Sequence, residues 1–406
     1  MNIYKQRRAK LMDTLNNTTV VLFSGMAPLK SEDEFYPFEV NRNFYYLTGL
    51  TNESMALVLN KKGNVLKEKL FILPFDEKLA KWVGGRMLKE EAIALTEVDE
   101  VGNYEEIEDF IESLSNSEDT VYFDLWTNED AKDNNIGVDF AYALKENNPE
   151  LDIDDIYPLI AKMRMKKDET EVEEVKKAIA ITKKGVEAMM KNIRPGIVEM
   201  AMEGLFNYEL AKENCSLNAF KSICASGKRA TILHYSSNNS LMEDGELFLC
   251  DLGATSNKYC ADISRTFPVN GKFTDRQKEI YEIVLKAQQL VIDNARPGLS
   301  TVDLNKIVVD FYKEELPKHG LNKDVREYYY HGVSHQLGLD THDVTLDRKA
   351  PLEAGNIITD EPGLYIEDEN IGIRIEDDLL ITEDGCIVLS SDIPKTVEEI
   401  EELAAR

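Results

Sequence analysis

The sequence predicts an α+β chain of two domains, a smaller N-terminal α/β domain and a C-terminal domain built from two copies of an α–α–β–β unit. Three observations predict it. At 406 residues the chain is longer than one typical domain. Residues 1–150 alternate short apolar runs with charged helical stretches, the pattern of strands layered against helices. Beyond residue 160 the sequence repeats itself.

In the first domain, TTVVLFSG (18–25), NFYYLTGL (43–50), MALVLN (55–60), KLFILPF (69–75) and TVYFDLW (120–126) are continuous apolar runs of strand length, expected as buried strands. EKLAKWVGGRMLKEEAIAL (77–95) reads as charged helix. After YPLI at 157–160 the character changes, and KMRMKKDETEVEEVKKAIAITKKGVEAMM (162–190) carries apolar residues at helical spacing, with Asp168 as the N-cap. The boundary is therefore expected near residue 160, with domains 1–160 and 161–406.

The repeat in the second domain runs through several elements. KNIRPGIVEMAMEGLFNYEL (191–210) matches DNARPGLSTVDLNKIVVDFY (293–312), with RPG at the same place in each. EDGELFLCDLG (243–253) matches EAGNIITDEPG (353–363), which sets Asp251 on Glu361. A second acid follows in each half, Asp262 and Glu376, and His234 stands to the first half much as His335 does to the second. A tripeptide recurs by chance more easily than a helix, RPG, a second helix, a Gly-led strand and two acids in order. Hairpins of this length bring Asp251 beside Asp262 and Glu361 beside Glu376, so four acids would line the centre of a pseudo-symmetric sheet.

Four buried carboxylates without partners would cost many kcal/mol or be forced to protonate. Divalent cations remove that cost. Four carboxylates with one imidazole form an oxygen-rich donor set, suited to Mn²⁺, Co²⁺ or Fe²⁺ rather than to a structural zinc site of cysteine and histidine. The imidazole comes from HGVSHQLGLDTHD (331–343), which holds three of the five histidines. His331 and His335 are four apart, but Gly332 occupies the position where a helical zinc motif needs Glu, and Gly338 argues against a long helix. An extended segment crossing the site fits better, with His335 ligating and His331 and His342 reaching the same centre. His319, in LPKHGLN, has no such context and is read as a surface residue.

Composition narrows the function. With 75 acidic against 47 basic residues and a formal charge of −28, the chain is no general binder of nucleic acid or anionic membrane. The five cysteines are scattered without a CxxC pair, which favours reduced thiols. The basic N-terminal stretch MNIYKQRRAKLMDTLNN lacks the apolar core of a signal peptide, and no run reaches the ~20 apolar residues of a membrane span. A cytoplasmic location is expected.

These residues resemble a known family, the pita-bread metallopeptidases, most closely the Xaa-Pro aminopeptidases or aminopeptidases P. NRNFYYLTGL and KWVGGR are similar to that family's N-terminal domain, and LHYSSNN, DLG…ADISRTF, HGVSHQLGLDTHD, DEPGLY and GIRIEDD to its catalytic domain, so the resemblance covers nearly the whole chain. It implies that Asp251 chelates one metal ion, Asp262 and Glu376 bridge two, and His335 and Glu361 hold the second. Glu361 would also move the proton, and His234 and His342 would contact the substrate and the developing tetrahedral intermediate. His331 would border a proline pocket, with Arg374 and Tyr365 as supporting residues. The implied cofactors are two divalent ions, Mn²⁺ foremost, with Co²⁺, Fe²⁺ or Zn²⁺ as alternatives, sharing a bridging hydroxide that attacks the peptide bond. The implied substrates are peptides with proline second, and the implied assembly is a homodimer or homotetramer formed through the N-terminal domain. Trp82 is either part of such a contact or a core residue of the first domain.

Three other readings stay open at this point. A prolidase shares the fold and metals but needs a basic residue for the carboxylate of an Xaa-Pro dipeptide, and Arg348 in TLDRKAPLE is a candidate. A non-peptidase hydrolase could use the same fold. A binding protein that had lost catalysis would be expected to lack metal ligands, and all five positions are filled.

Overall fold

The structure, a computed structural model, describes residues 1–127 and 135–405. The chain divides into two compact units, residues 1–163 and 164–406. The first contains α1 (Ile3–Asp13), β1 (Thr18–Phe23), α2 (Arg42–Thr48), β2 (Ala56–Lys62), β3 (Val65–Ile72), α3 (Glu77–Val83) and α4 (Lys89–Thr96). These are followed by β4 (Glu100–Asn103), α5 (Ile107–Ser113), β5 (Thr120–Phe123), α6 (Ile136–Asn147) and β6 (Ile153–Asp155), and α7 (Tyr157–Met165) leads into the second unit.

The six strands form one sheet in the order β4-β3-β2-β1-β5-β6. β1, β2 and β3 run antiparallel, while β4, β5 and β6 join in parallel. The sheet is therefore mixed. One face packs Val21, Phe23, Val58, Phe71, Val121 and Phe123 against Ile107, Ile111 and Leu144 of the helices. Beneath its other elements Arg8, fully buried, is neutralised by Glu68 at 2.8 Å.

Two expectations for this unit need correction. NFYYLTGL is not a strand, because Asn41 caps Phe44 N–H with its side chain and Gly49 closes the element in the left-handed conformation, making it helix α2. Asn43 to Thr48 are all buried, and an apolar run buried on every side cannot be told from a strand by periodicity. Trp82 is no core residue, being 86% exposed at the end of α3, where Gly84 and Gly85 split the expected long helix into α3 and α4.

The second unit contains α8 (Glu169–Asn192), α9 (Glu199–Lys212), β7 (Ile223–Ser226), β8 (Leu247–Leu252), β9 (Thr255–Ser256), β10 (Tyr259–Cys260) and β11 (Ile263–Pro268). Its second half contains α10 (Asp275–Asn294), α11 (Thr301–Glu315), β12 (Ile357–Asp360), β13 (Gly363–Ile366), β14 (Ile371–Arg374), β15 (Asp377–Ile381) and β16 (Cys386–Val388), and α12 (Val397–Ala404) closes the chain. Each half thus begins with a helix pair and continues into strands, as the repeat requires. Both RPG tripeptides are the turns between paired helices, with Gly196 and Gly298 at φ +86° and +93°, a conformation that only glycine adopts cheaply. Asp168 caps α8 through Thr170 and Glu171 N–H, and Thr274 and Ser300 cap α10 and α11 in the same manner. Gly185 lets α8 and α9 close up, since a Cβ there would lie 2.3 Å from the Phe206 ring.

The strands form three-stranded sheets β11-β8-β7 and β12-β15-β16 and the pair β13-β14. The halves are joined at β11: Glu376 N–H donates to Ser264 O at 3.0 Å, and the Arg265 guanidinium, fully buried, reaches Glu376 O at 2.6 Å and Asp377 at 2.8 Å. In β8 and β11 Asp251 opposes Ser264 and Cys250 opposes Arg265, so alternation gives one face acids and the other face the helices. The intervening β9–β10 hairpin turns through Asn257 and Lys258, both at positive φ, as a two-residue I′ turn demands.

One buried ion cluster anchors the segment that carries the histidines. Asp343 accepts from Arg164 at 2.6 Å and Lys167 at 3.0 Å, all three side chains being almost fully buried. Burial alone would raise the Asp343 carboxyl, but the two cations hold it below its usual value. Removing one member of such a buried set costs about 3–5 kcal/mol. Asp343→Ala should therefore unfold at markedly lower urea at pH 7. Because the folded-state pKa is depressed, this stabilisation is fully present above the unfolded value of about 4 and fades as pH falls below it, so the gap from the parent protein should shrink in acid. An equal midpoint at pH 7 would contradict the role of the cluster.

Candidate metal centre and active site

Alternation within short strands brings the acids together. Asp251 near the end of β8 and Ser264 in β11 face each other, and Asp262 lies two residues before Ser264 on the same face. Across the seam, Glu376 precedes β15, Asp378 follows it by two, and Glu361 stands just beyond β12, two residues after Thr359. Ligand atoms of Asp262, His335 and Glu376 lie within 4.8 Å of one another. His335 Nε2 is also 3.4 Å from Asp262 and 3.5 Å from Glu361. Asp251 is joined to this group through Arg374, whose guanidinium donates to Asp251 Oδ2 at 2.6 Å, to Ser264 Oγ at 2.7 Å and to the Tyr365 hydroxyl at 3.0 Å. Ser264 Oγ in turn donates to Glu376 at 2.7 Å.

The segment 331–343 is extended and irregular. His335 N–H is held by Thr359 Oγ1 at 3.1 Å, and the same hydroxyl donates to Glu361 Oε1 at 3.2 Å. His335 Nδ1 lies 3.0 Å from Gln336 O. A carbonyl accepts only, so Nδ1 carries the proton and the lone pair of Nε2 faces the carboxylates. His331 is fixed at both nitrogens, to Gly332 O and to the Tyr365 hydroxyl, each at 2.8 Å, and its ring packs against Tyr329 and Tyr365. Burial, with Arg374 adding to it, lowers its pKa to about 3. His342 meets His335 edge to face at 4.3 Å between rings, and burial followed by the His335 charge lowers it to about 4. His234, exposed in the loop after β7, is near enough for its charge to act on both His331 and His342. All ten residues singled out in the sequence thus border one centre. His319 lies elsewhere, between Glu279 at 2.6 Å and Glu315 at 3.4 Å.

Three residues of the site were missed. Ser264, Thr359 and Asp378 each stand two positions from an acid that was found, on the same face of a strand. A period-two reading outward from Asp262, Glu361 and Glu376 would have found them.

The donor set fits divalent cations. Burial pushes the Asp262 and Glu376 carboxyls well above the usual carboxylate range, and neighbouring acids push them further. Glu361 is raised by burial despite His335 and Arg374. Asp251 Oδ1 and Asp378 Oδ1 are buried without a hydrogen-bond partner. Carboxylates in this condition, beside a histidine presenting a lone pair, are stable as anions only with added positive charge, and hard oxygen donors select hard or borderline ions.

The chain is similar to known proteins over nearly its whole length. Residues 173–383 match the model of metallopeptidase family M24, and residues 4–122 that of the aminopeptidase P N-terminal domain. An Xaa-Pro aminopeptidase of Haemophilus influenzae is 34% identical, over 98% of this chain and 96% of its own. A putative aminopeptidase P from Bacillus anthracis has a solved structure that superposes with a TM-score of 0.96 at 41% identity, over 99% of this chain and 98% of that one. A zinc-substituted aminopeptidase P of Escherichia coli, in complex with product, gives 0.92 at 32% identity, over 99% and 98%.

Ser264 is the link between Glu376 and Arg374. Ser264→Ala should weaken divalent-cation binding by about 10–100-fold, the usual cost of losing an outer-shell partner. Isothermal titration of Mn²⁺ into metal-stripped protein reads this directly, and unchanged affinity would show the hydroxyl to be dispensable.

Proposed function

This chain belongs to metallopeptidase family M24 and is a hydrolase of the metallo-aminopeptidase class, and from that premise we propose that it is an Xaa-Pro aminopeptidase acting on peptides with proline second. The observation that carries the reading is the conjunction of the Asp262–His335–Glu376 cluster with a second wall made by His331, Tyr365 and Arg374. In this reading Asp251, Asp262, His335, Glu361 and Glu376 would hold the divalent ions, with Mn²⁺ the expected metal. Divalent cations held by these residues would supply Lewis acidity, lowering the pKa of a bound water and polarising the scissile carbonyl.

The chain's own residues do the rest. Glu361 has one oxygen toward His335 and the other 3.7 Å from His331, so its carboxylate can take a proton on the His335 side and deliver it to the leaving nitrogen. His342, whose low pKa keeps its imidazole neutral at neutral pH, offers a ring N–H to the developing oxyanion, and His234 faces the same space. The His331 ring, packed at 5.5 Å against the buried Tyr365, would border a prolyl ring that brings no N–H to be satisfied. The substrate's free α-amine is a cation suited to the carboxylate end. Exposed aromatic side chains of the first unit, Trp82 among them, suit the contacts of a homodimer or homotetramer. Among the described residues no helix is long and apolar enough to cross a membrane.

The discriminating experiment offers an Xaa-Pro dipeptide and an Xaa-Pro-Xaa tripeptide with Mn²⁺ and then with chelator, read by mass spectrometry. Release of the first residue from the tripeptide, abolished by chelator, is the expected result. Cleavage of the dipeptide alone would replace the reading with a dipeptidase and direct attention to Arg348, which is exposed and near enough for its charge to act on His342. His342→Ala should lower kcat by about 10²–10³-fold if it serves the oxyanion.

A further inference from the structure

Glu199 is a fully buried carboxylate for which the reaction has no use. It is the first residue of α9, and five donors converge on it. Oε1 accepts from Ser226 N–H at 2.8 Å, Ser226 Oγ at 2.8 Å and Arg229 Nε at 3.1 Å. Oε2 accepts from the Tyr235 hydroxyl at 2.8 Å and Ser240 N–H at 3.0 Å. Every one of these donors belongs to a single stretch of chain. Ser226 ends β7, a 3₁₀ turn follows at Gly227–Thr231, and His234 lies between that turn and Ser240 in the connection to β8.

A surface loop of this length ordinarily samples many conformations, and ordering each residue costs about 1–2 kcal/mol. Here both ends of the loop and the residue beside His234 are tied to one rigid helix terminus. Both neighbours of His234 are anchored: Leu233 and Tyr235 pack against the Ile223–Leu249–Tyr365 cluster, and the Tyr235 hydroxyl reaches Glu199. A turn closed by Tyr235 N–H on Ile232 O at 3.2 Å leaves the His234 side chain exposed, with Ile232 exposed two residues before it. Asn238, at φ +47°, strengthens the far side by accepting from Cys224 N–H and donating to Glu203 and Ser222 O. A purely helix-capping role would need one or two of the five bonds and none from Tyr235.

We propose that Glu199 is a positioning residue for His234, holding the loop after β7 so that the exposed imidazole is presented to the substrate without paying for loop ordering at each turnover. This rests on the role given to His234 in the proposed reaction. Gln in place of Glu199 keeps size and burial but turns an N–H toward donors, so at least one tie is lost. Tyr235→Phe removes only the tie beside His234 and spares the rest of the fold.

The test is a pair of double-mutant cycles on the metal-saturated, full-length protein with an Xaa-Pro-Xaa tripeptide. Glu199→Gln and Tyr235→Phe should each lower kcat by about tenfold with KM and bound metal little changed. In a His234→Ala background the same substitutions should change kcat less than about twofold, because the group they position is gone. Equal losses in both backgrounds would overturn the proposal. Independently, the His234 ring resonance of the metal-stripped protein, assigned by its absence in His234→Ala, should shift in Glu199→Gln and Tyr235→Phe while that of His319 stays. If His234→Ala alone leaves kcat unchanged, the reading of the reaction has failed at that residue. The resonance then decides the tether: a shift supports it and a static signal overturns it.

Discussion

Like charge in a confined space is the constraint on which the catalytic unit depends. Asp251, Asp262, Glu361, Glu376 and Asp378 converge where solvent cannot screen them, and two unit charges 4 Å apart repel by about 4 kcal/mol even at an effective dielectric of 20. Arg374 offsets part of this by bonding Asp251 directly and Glu376 through Ser264. A single guanidinium cannot offset the whole, and the Asp262 and Glu376 carboxyls stay raised despite it. The site is thus built with a deficit of positive charge, and cations that complete it would be bound with the energy of relieving that repulsion.

The surrounding structure prevents the cluster from escaping into solvent. The buried Arg265 ties β11 to Glu376 and Asp377, so the two halves cannot part without stranding a guanidinium and a carboxylate. Asp343 pins the histidine-bearing segment from behind through Arg164 and Lys167. Gln336 O sets the His335 tautomer, and Thr359 bridges His335 to Glu361. His335 and Glu361 are thus each flanked by a group that orients them, and the role proposed for Glu199 extends that pattern to His234.

Much of this was legible in the sequence because duplication writes the same constraint twice. The RPG turns, the Gly-led strands and the paired acids recur at matching places, and the acids fall on one sheet face. Family M24 membership and the aminopeptidase P neighbours agree with the fold the repeat predicted. What was not legible has local causes. NFYYLTGL was misjudged as strand because complete burial erases the helical period, and only its Asn41 and Gly49 caps distinguish it. Ser264 and Thr359 are common strand residues whose importance lies in two hydrogen bonds each. Glu199 looked like one acid among 75, since nothing in its own neighbourhood announces five donors arriving from residues 226–240.

The central claim is that the acidic cluster is completed by divalent cations, and the most direct measurement is titration of metal-stripped protein with Mn²⁺, following bound metal and thermal unfolding together. Two ions should bind per chain and the melting temperature should rise with each, as ligands that bind only the folded state require. Fewer than one ion per chain with an unchanged melting temperature would contradict it.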